Sequence, residues 1–160
     1  MAHVYLLHRD HDCALESAFS ALELRPSCDV SAAAVANVLN YMGRSEEAVE
    51  YAERAIRLTP IAPTIYPAIL ASAYYGAGHH EESIAAHAII ETNPNSMDAW
   101  LVLAACESAL GNVAAARAAI DEALRLRPGL TLDGYLATQP YSGNEALETL
   151  AGRLREAGLN

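Results

Sequence analysis

The sequence of 160 residues contains no lysine, and its ten basic residues are all arginine. A Walker-type phosphate loop needs its lysine, so that chemistry is excluded. Twenty acidic residues leave a net charge of −10, the wrong sign for tracking phosphates, so nucleic acid is not an expected partner. Cysteine is scarce and scattered: Cys13, Cys28 and Cys106 form neither a C-x-x-C pair nor a zinc ladder, and they read as reduced thiols. Met1-Ala2-His3 and a short apolar run ended by Arg9 and Asp10 do not read as a secretory leader. No apolar run approaches the roughly 20 residues of a membrane-spanning helix. A cytoplasmic protein without a membrane partner is the expectation. There is no G-x-S-x-G elbow, no G-x-G-x-x-G, and no carboxylate pair that the sequence places in a cleft. No enzyme activity is expected, and no catalytic or cofactor-binding residue is assigned.

What the sequence does contain is a repeat. Pro26, Pro60, Pro94 and Pro128 fall 34 residues apart. Ala14 and Ala48 keep that step, as do Ala21 and Ala55, and Ser83/Ala116 and Ile90/Ala123 continue the two series with a one-residue offset. Gly43, Gly78 and Gly111 mark the middle of successive units. Each unit reads as two helices. Trp100, Leu103, Ala104 and Glu107 occupy i, i+3, i+4 and i+7 of one helix face. Gly111 supplies the turn, Ala116, Ile120 and Ala123 line the inner face of the second helix, and Pro128 stops it. The small residues let helix backbones approach, so that stacked units share a core that no single hairpin can bury.

Trp100-x-x-Leu103-Ala104, Gly111, Ala116, Ile120, Ala123 and Pro128 resemble the tetratricopeptide (TPR) pattern. Matching sets precede it: Val35, Ala36, Leu39, Gly43, Ala48, Ala55 and Pro60, then Leu70, Ala71, Tyr74, Gly78 and Pro94. The resemblance covers about residues 1–128. It implies an all-α, right-handed solenoid of helical hairpins with about 3.5 repeats and a C-terminal capping helix. Residues 1–28 form a partial first repeat with Tyr5 in the slot of Leu39 and Tyr74, 29–128 form three hairpins, and 129–160 close the array as one continuous domain. Thr64 is the expected N-cap of a helix that places Pro67 in its first turn, where a missing N–H is harmless. The incomplete first unit suggests a piece of a longer protein.

After Pro128 the spacing predicts a short helix over 131–137, a turn at Gln139-Pro140-Tyr141-Ser142-Gly143, and an amphipathic helix over 145–157. Leu147, Leu150, Leu154 and Leu159 are expected to cover the open edge of the last repeat. The wording Arg127-Pro128-Gly129-Leu130-Thr131-Leu132, Pro140-Tyr141 and Leu154-Arg155-Glu156-Ala157-Gly158-Leu159 is similar to the C-terminal TPR segment of bacterial class III adenylate/guanylate cyclases. No cyclase catalytic domain has a counterpart here, so the resemblance implies a regulatory or docking domain of a signalling protein.

In the TPR architecture the first helix of each hairpin lines a concave groove. The expected inner helices span 29–42, 64–77 and 96–110 and contain no Lys or Arg. They therefore lack the basic half of the clamp that chaperone-binding TPR domains use, so an acidic chaperone C-terminal tail is not an expected partner. Helix phase puts Val30, Ala33, Asn37, Asn40 and Tyr41 on the groove side, with Ile65, Ala68, Ser72 and Tyr75 beside them and Leu101, Ala105 and Ser108 on the third helix. This neutral, partly apolar groove suits a helix or an extended peptide. Leu101 is accordingly expected to accept arginine without loss of helicity. The alternatives are that these are simply exposed residues of a scaffold, that the groove is filled by a missing part of the same protein, and a self-association module pairing two chains as a homodimer. Glu107 stands in an apolar slot and needs a donor, with Tyr135, Tyr141 and Arg117 as candidates.

His3, His8, Asp10, His11, Asp12 and Cys13 are potential metal ligands without an established metal spacing, and they read as a solvated turn; metal-dependent activity there is the least favoured alternative. His80-Glu81 opens like H-E-x-x-H, but Ile84 stands where the second histidine belongs. The acidic run Glu46, Glu47, Glu50, Glu53 reads as a solvated outer helix with Glu50–Arg54 and Glu53–Arg57 pairs.

Overall fold

The computed structural model describes residues 1–59, 63–90 and 96–160. The described residues form helices α1 (Ala2–Leu7), α2 (His11–Leu24), α3 (Asp29–Tyr41), α4 (Ser45–Leu58), α5 (Ile65–Ala77), α6 (His80–Ile90), α7 (Met97–Ala109), α8 (Val113–Leu126), α9 (Leu132–Thr138) and α10 (Asn144–Glu156). The first eight pair as hairpins, α1/α2 to α7/α8, and each hairpin stacks on the next. The odd-numbered helices also touch one another in sequence, α1 on α3, α3 on α5 and α5 on α7, which makes them the inner layer of the solenoid.

Local chemistry sets the boundaries. Asp10 caps α2 by accepting from the Cys13 amide at 3.2 Å, and Ser96 caps α7 through the Ala99 amide at 3.4 Å. Gly43, Gly78 and Gly111 turn three hairpins with φ of 76°, 82° and 79°, a region that a Cβ penalises. Thr64 precedes α5 but makes no side-chain cap, and Pro67 lies in the first turn as expected. Pro26 and Pro128 follow α2 and α8; Pro60 and Pro94, the middle members of the proline series, lie outside the described residues.

The repeated small residues are the closest points of packing. Ala14, Ala48, Ala55, Ala116 and Ala123 are fully buried, and so is Ser83, whose hydroxyl donates to the Ala71 carbonyl at 2.7 Å and accepts from the Cys106 thiol at 3.2 Å. Ala21 departs from its series: it is exposed, and its neighbour Leu22 packs inward instead. On the outer layer Arg57 pairs with Glu53 at 3.1 Å as expected, whereas Arg54 donates to the Pro26 carbonyl at 2.6 Å and so ties α4 to the preceding turn. Glu107 accepts from the Asn112 side chain at 2.8 Å and uses none of Tyr135, Tyr141 and Arg117. Asn112 follows the Gly111 turn and brings its amide back to the end of the same helix.

The C-terminal segment does more than close an edge. α10 packs on α7 and on α9, and Leu150, Leu154 and Leu159 join Leu101, Ala104 and Ile120 in one core. The turn between α9 and α10 reaches back to the first hairpins. Arg9 donates to the Gln139 carbonyl at 3.1 Å, the His11 ring bonds the Pro140 carbonyl at 2.7 Å, and the Ser142 amide donates to the Tyr41 carbonyl at 2.9 Å.

Two predictions follow from this packing. Leu154, with no exposed surface, anchors α10, so Leu154→Ala is expected to cost about 2–5 kcal/mol. Urea unfolding followed by circular dichroism checks this, and an unchanged midpoint would place α10 outside the cooperative unit. His79 lies 3.0 Å from Glu46, which raises its pKa by a charge-assisted hydrogen bond. The stability of that link is complete below the ordinary histidine range and is lost as pH rises through the raised pKa. Glu46→Gln should lower the His79 midpoint in an NMR titration; an unmoved midpoint would show that the pair does not form in solution.

Candidate functional site

The inner layer presents its residues one helical turn apart, and the structure divides the nine groove candidates into two sets. Asn37, Asn40, Tyr41, Ile65, Ser72 and Tyr75 line one cavity of about 140 Å3 between α3, α5 and the start of α7. Ile65 stands at its mouth with 58 % of its surface exposed, and Val30 beyond it is also open to solvent. Asn40 is buried, with its side-chain oxygen accepting from the Ser45 hydroxyl at 3.1 Å. Gly76 makes room for this bond: a Cβ there would fall 2.3 Å from the Ser45 oxygen and 3.0 Å from that of Asn40.

Of the other three, Leu101 and Ala105 are closed off by burial, and Ser108 is half-buried. Leu101 is 0 % exposed and Ala105 is equally buried, both beneath α10 in the core that holds Leu150 and Leu154. Ser108 donates to Glu156 of α10 at 2.9 Å. Helix phase identified the inner side of α7 but not the segment that returns to cover it. Leu101→Arg is therefore expected to disrupt the core, because it would bury an unpaired charge.

The covering segment supplies the opposite wall of the cavity. Tyr135, Gln139, Tyr141 and Leu150 line it together with Asp98 of α7. Tyr141 meets Tyr41 edge to face, with ring centroids 5.0 Å apart and planes at 73°. Tyr135 is buried and lines the cavity with Asp98. Tyr41, Asn40, Tyr75 and Tyr141 also border a second cavity of about 480 Å3, which continues between the hairpin turn at Gly43, Gly76 of α5 and the α10 residues Glu145 and Thr149.

Burial keeps these phenols neutral: it pushes Tyr41 up to about 12 and raises Tyr75, Tyr135 and Tyr141 further. Asp98 is the charged group of the smaller cavity. Its residue remains exposed, while packing around the carboxyl raises its pKa above the usual carboxylate value. Tyr75 is only 9 % exposed, and its hydroxyl has no hydrogen-bond partner. An arrangement of neutral phenols, amides and hydroxyls beside one carboxylate suits recognition by hydrogen bonding.

Two residues of the N-terminal His/Asp cluster serve the fold. Asp10 caps α2 and His11 holds the Pro140 carbonyl. Among the described residues no three His, Cys, Asp or Glu side chains are grouped to hold a metal ion. No described helix is long and apolar enough to cross a membrane.

Family models of the tetratricopeptide repeat match residues 32–61 and 70–131, together more than half of the chain. The chain belongs to the tetratricopeptide repeat family. No curated protein matches its sequence. Among solved structures it is similar to YrrB, described as a TPR protein with an unusual peptide-binding site, at 20 % identity and a TM-score of 0.63 over 98 % of this chain and 80 % of that one. It is similar to MamA at 18 % identity and a TM-score of 0.68, covering 98 % and 92 % of the two chains. A thermophilic TPR protein of Thermus thermophilus gives 23 % identity and a TM-score of 0.69, covering 97 % and 84 %. These likenesses show the solenoid fold.

The unpartnered Tyr75 hydroxyl yields a prediction. Tyr75→Phe removes a buried polar group that gains nothing from the fold, so it is expected to stabilise the protein by about 1 kcal/mol. Thermal and urea unfolding read this directly; destabilisation would mean that the hydroxyl has a partner in solution.

Proposed function

We propose that this chain is a protein-interaction scaffold that holds an extended or helical segment of a partner in the part of its concave groove left open by its own C-terminal segment. The observation that carries this reading is the convergence of Asn37, Ile65, Ser72 and Tyr75, from two separate hairpins, on one cavity with an apolar, exposed rim. Peptide backbones are recognised by such side-chain amides and hydroxyls, and apolar rims supply area. TPR proteins are generally scaffolds of this kind, and the similar protein YrrB is one with a peptide-binding site. The absence of Lys and Arg from α3, α5 and α7 argues against an acidic tail as the ligand. On the tail's wording we place the scaffold in a larger bacterial signalling protein as its regulatory or docking part, which an immunoblot of the native protein's size checks.

Self-association is the second reading, and α1 favours it. Met1, Val4 and Leu7 are exposed apolar residues on or beside that short helix. Sedimentation over a wide concentration range decides it, since a monomer throughout would remove this reading.

The groove is tested by selecting binders from a displayed random peptide library on the full chain. Ile65→Asn and Ser72→Tyr, one altering an exposed rim residue and the other filling the cavity, are expected to weaken the selected peptides about tenfold or more in titration calorimetry while helicity is kept. Peptides that bind both variants unchanged would move the site off the groove.

A further inference from the structure

We propose that the smaller cavity is a socket for one basic side chain, arginine or lysine, of the segment bound in the groove. This inference rests on the groove reading and adds the chemistry of its ligand. The cavity holds about 140 Å3, several water volumes but less than the roughly 300 Å3 from which small-molecule pockets begin, so its size suits a single side chain. Among the described residues its lining contains one carboxylate, Asp98, and no arginine or histidine. The cation that acts on Asp98 from the chain itself, Arg127, lies outside the lining and attracts it through space.

Two groups in the socket have unused bonding capacity. The Asp98 carboxylate lines the cavity, and a carboxylate offers about four acceptor positions. Tyr75 lines the same cavity more than nine-tenths buried, with its hydroxyl unpartnered. A guanidinium or ammonium group has donors and no acceptor, so it can serve the free lone pairs of Asp98. Tyr41 and Tyr141 give the socket aromatic walls, which favour a cation over a second anion. The exposed Ile65 in the cavity lining fits an apolar residue next to the basic one. The net charge of −10 draws such a segment toward the chain.

The test uses the groove-dependent peptides selected on the full chain, titrated against the unaltered protein and Asp98→Asn. Asparagine keeps the shape of the side chain while removing the charge, and a thermal melt confirms that the variant is folded. The selected peptides are expected to carry an arginine or lysine, and Asp98→Asn is expected to weaken them about tenfold or more. Replacing the peptide's basic residue by norleucine should cost as much on the unaltered protein and nothing further on Asp98→Asn. The norleucine arm decides the matter even if the variant does not fold. Peptides that depend on Ile65 and Ser72 but carry no basic residue, or whose norleucine forms bind equally, overturn the socket and leave the groove. Peptides indifferent to all of these positions, or a selection that yields none, overturn both.

Discussion

The last hairpin of a solenoid has an apolar face and no following hairpin to cover it, and much of this structure follows from how that face is buried. α7 presents Leu101, Ala104 and Ala105 inward with no exposed surface. The cover comes from Leu150, Leu154 and Leu159 on and just after α10, each worth about 1.5–3 kcal/mol when fully removed from water. Placing α10 there fixes the course of the chain before it. The turn at 139–142 is drawn over the inner layer, where Arg9, His11 and the Tyr41 carbonyl meet its main chain. One local need for burial thereby connects the end of the chain to its first two hairpins.

That course decides the character of the groove. A TPR array would offer an open concave surface across α3, α5 and α7; here much of α7 is closed, and the opening lies between α3, α5 and the start of α7. The returning tyrosines turn an open surface into a cavity with two walls, one from the repeats and one from the tail. Their burial keeps them neutral, so the chemistry offered is hydrogen bonding and aromatic contact around a single carboxylate. Such a site discriminates by the pattern of donors it demands, because a buried group left unpaired costs more than a made bond returns.

The repeat was legible because it is written in residues whose physical roles are few. Glycine at a left-handed turn and alanine at a close helix contact tolerate little substitution, so they recur at a fixed period. The same logic placed Asn37, Ile65, Ser72 and Tyr75 on the inner side through helix phase alone. The tail leucines were expected over the last repeat, and Leu150, Leu154 and Leu159 lie there; what sequence could not give was that they close the groove side of α7. Leu101 and Ala105 have the phase of groove residues and the environment of core residues, and only the course of residues 130–159 separates the two. Glu107 shows the same limit in miniature: its partner is Asn112, just beyond the turn, because the Gly111 conformation folds that amide back. Arg54 likewise prefers the Pro26 carbonyl to its i−4 glutamate, a contact between hairpins that no single-helix rule contains.

Whether the tail is a removable plug or a permanent wall can be argued from where its large side chains lie. A plug would rest on the groove through polar contacts and keep its apolar residues elsewhere. Here Leu132, Tyr135, Leu150 and Leu154 sit in the same core as Leu101 and Ile120, so lifting the segment would expose α7's inner face as well as its own. The three hydrogen bonds that fasten the turn to Arg9, His11 and Tyr41 are weak beside that burial, yet they set the position of Tyr141 against Tyr41. The tail is thus held in place by α7 and oriented by α1 to α3. A partner entering the groove meets a wall whose strength and whose aim come from opposite ends of the chain, and the site is shaped by the whole array rather than by any one repeat.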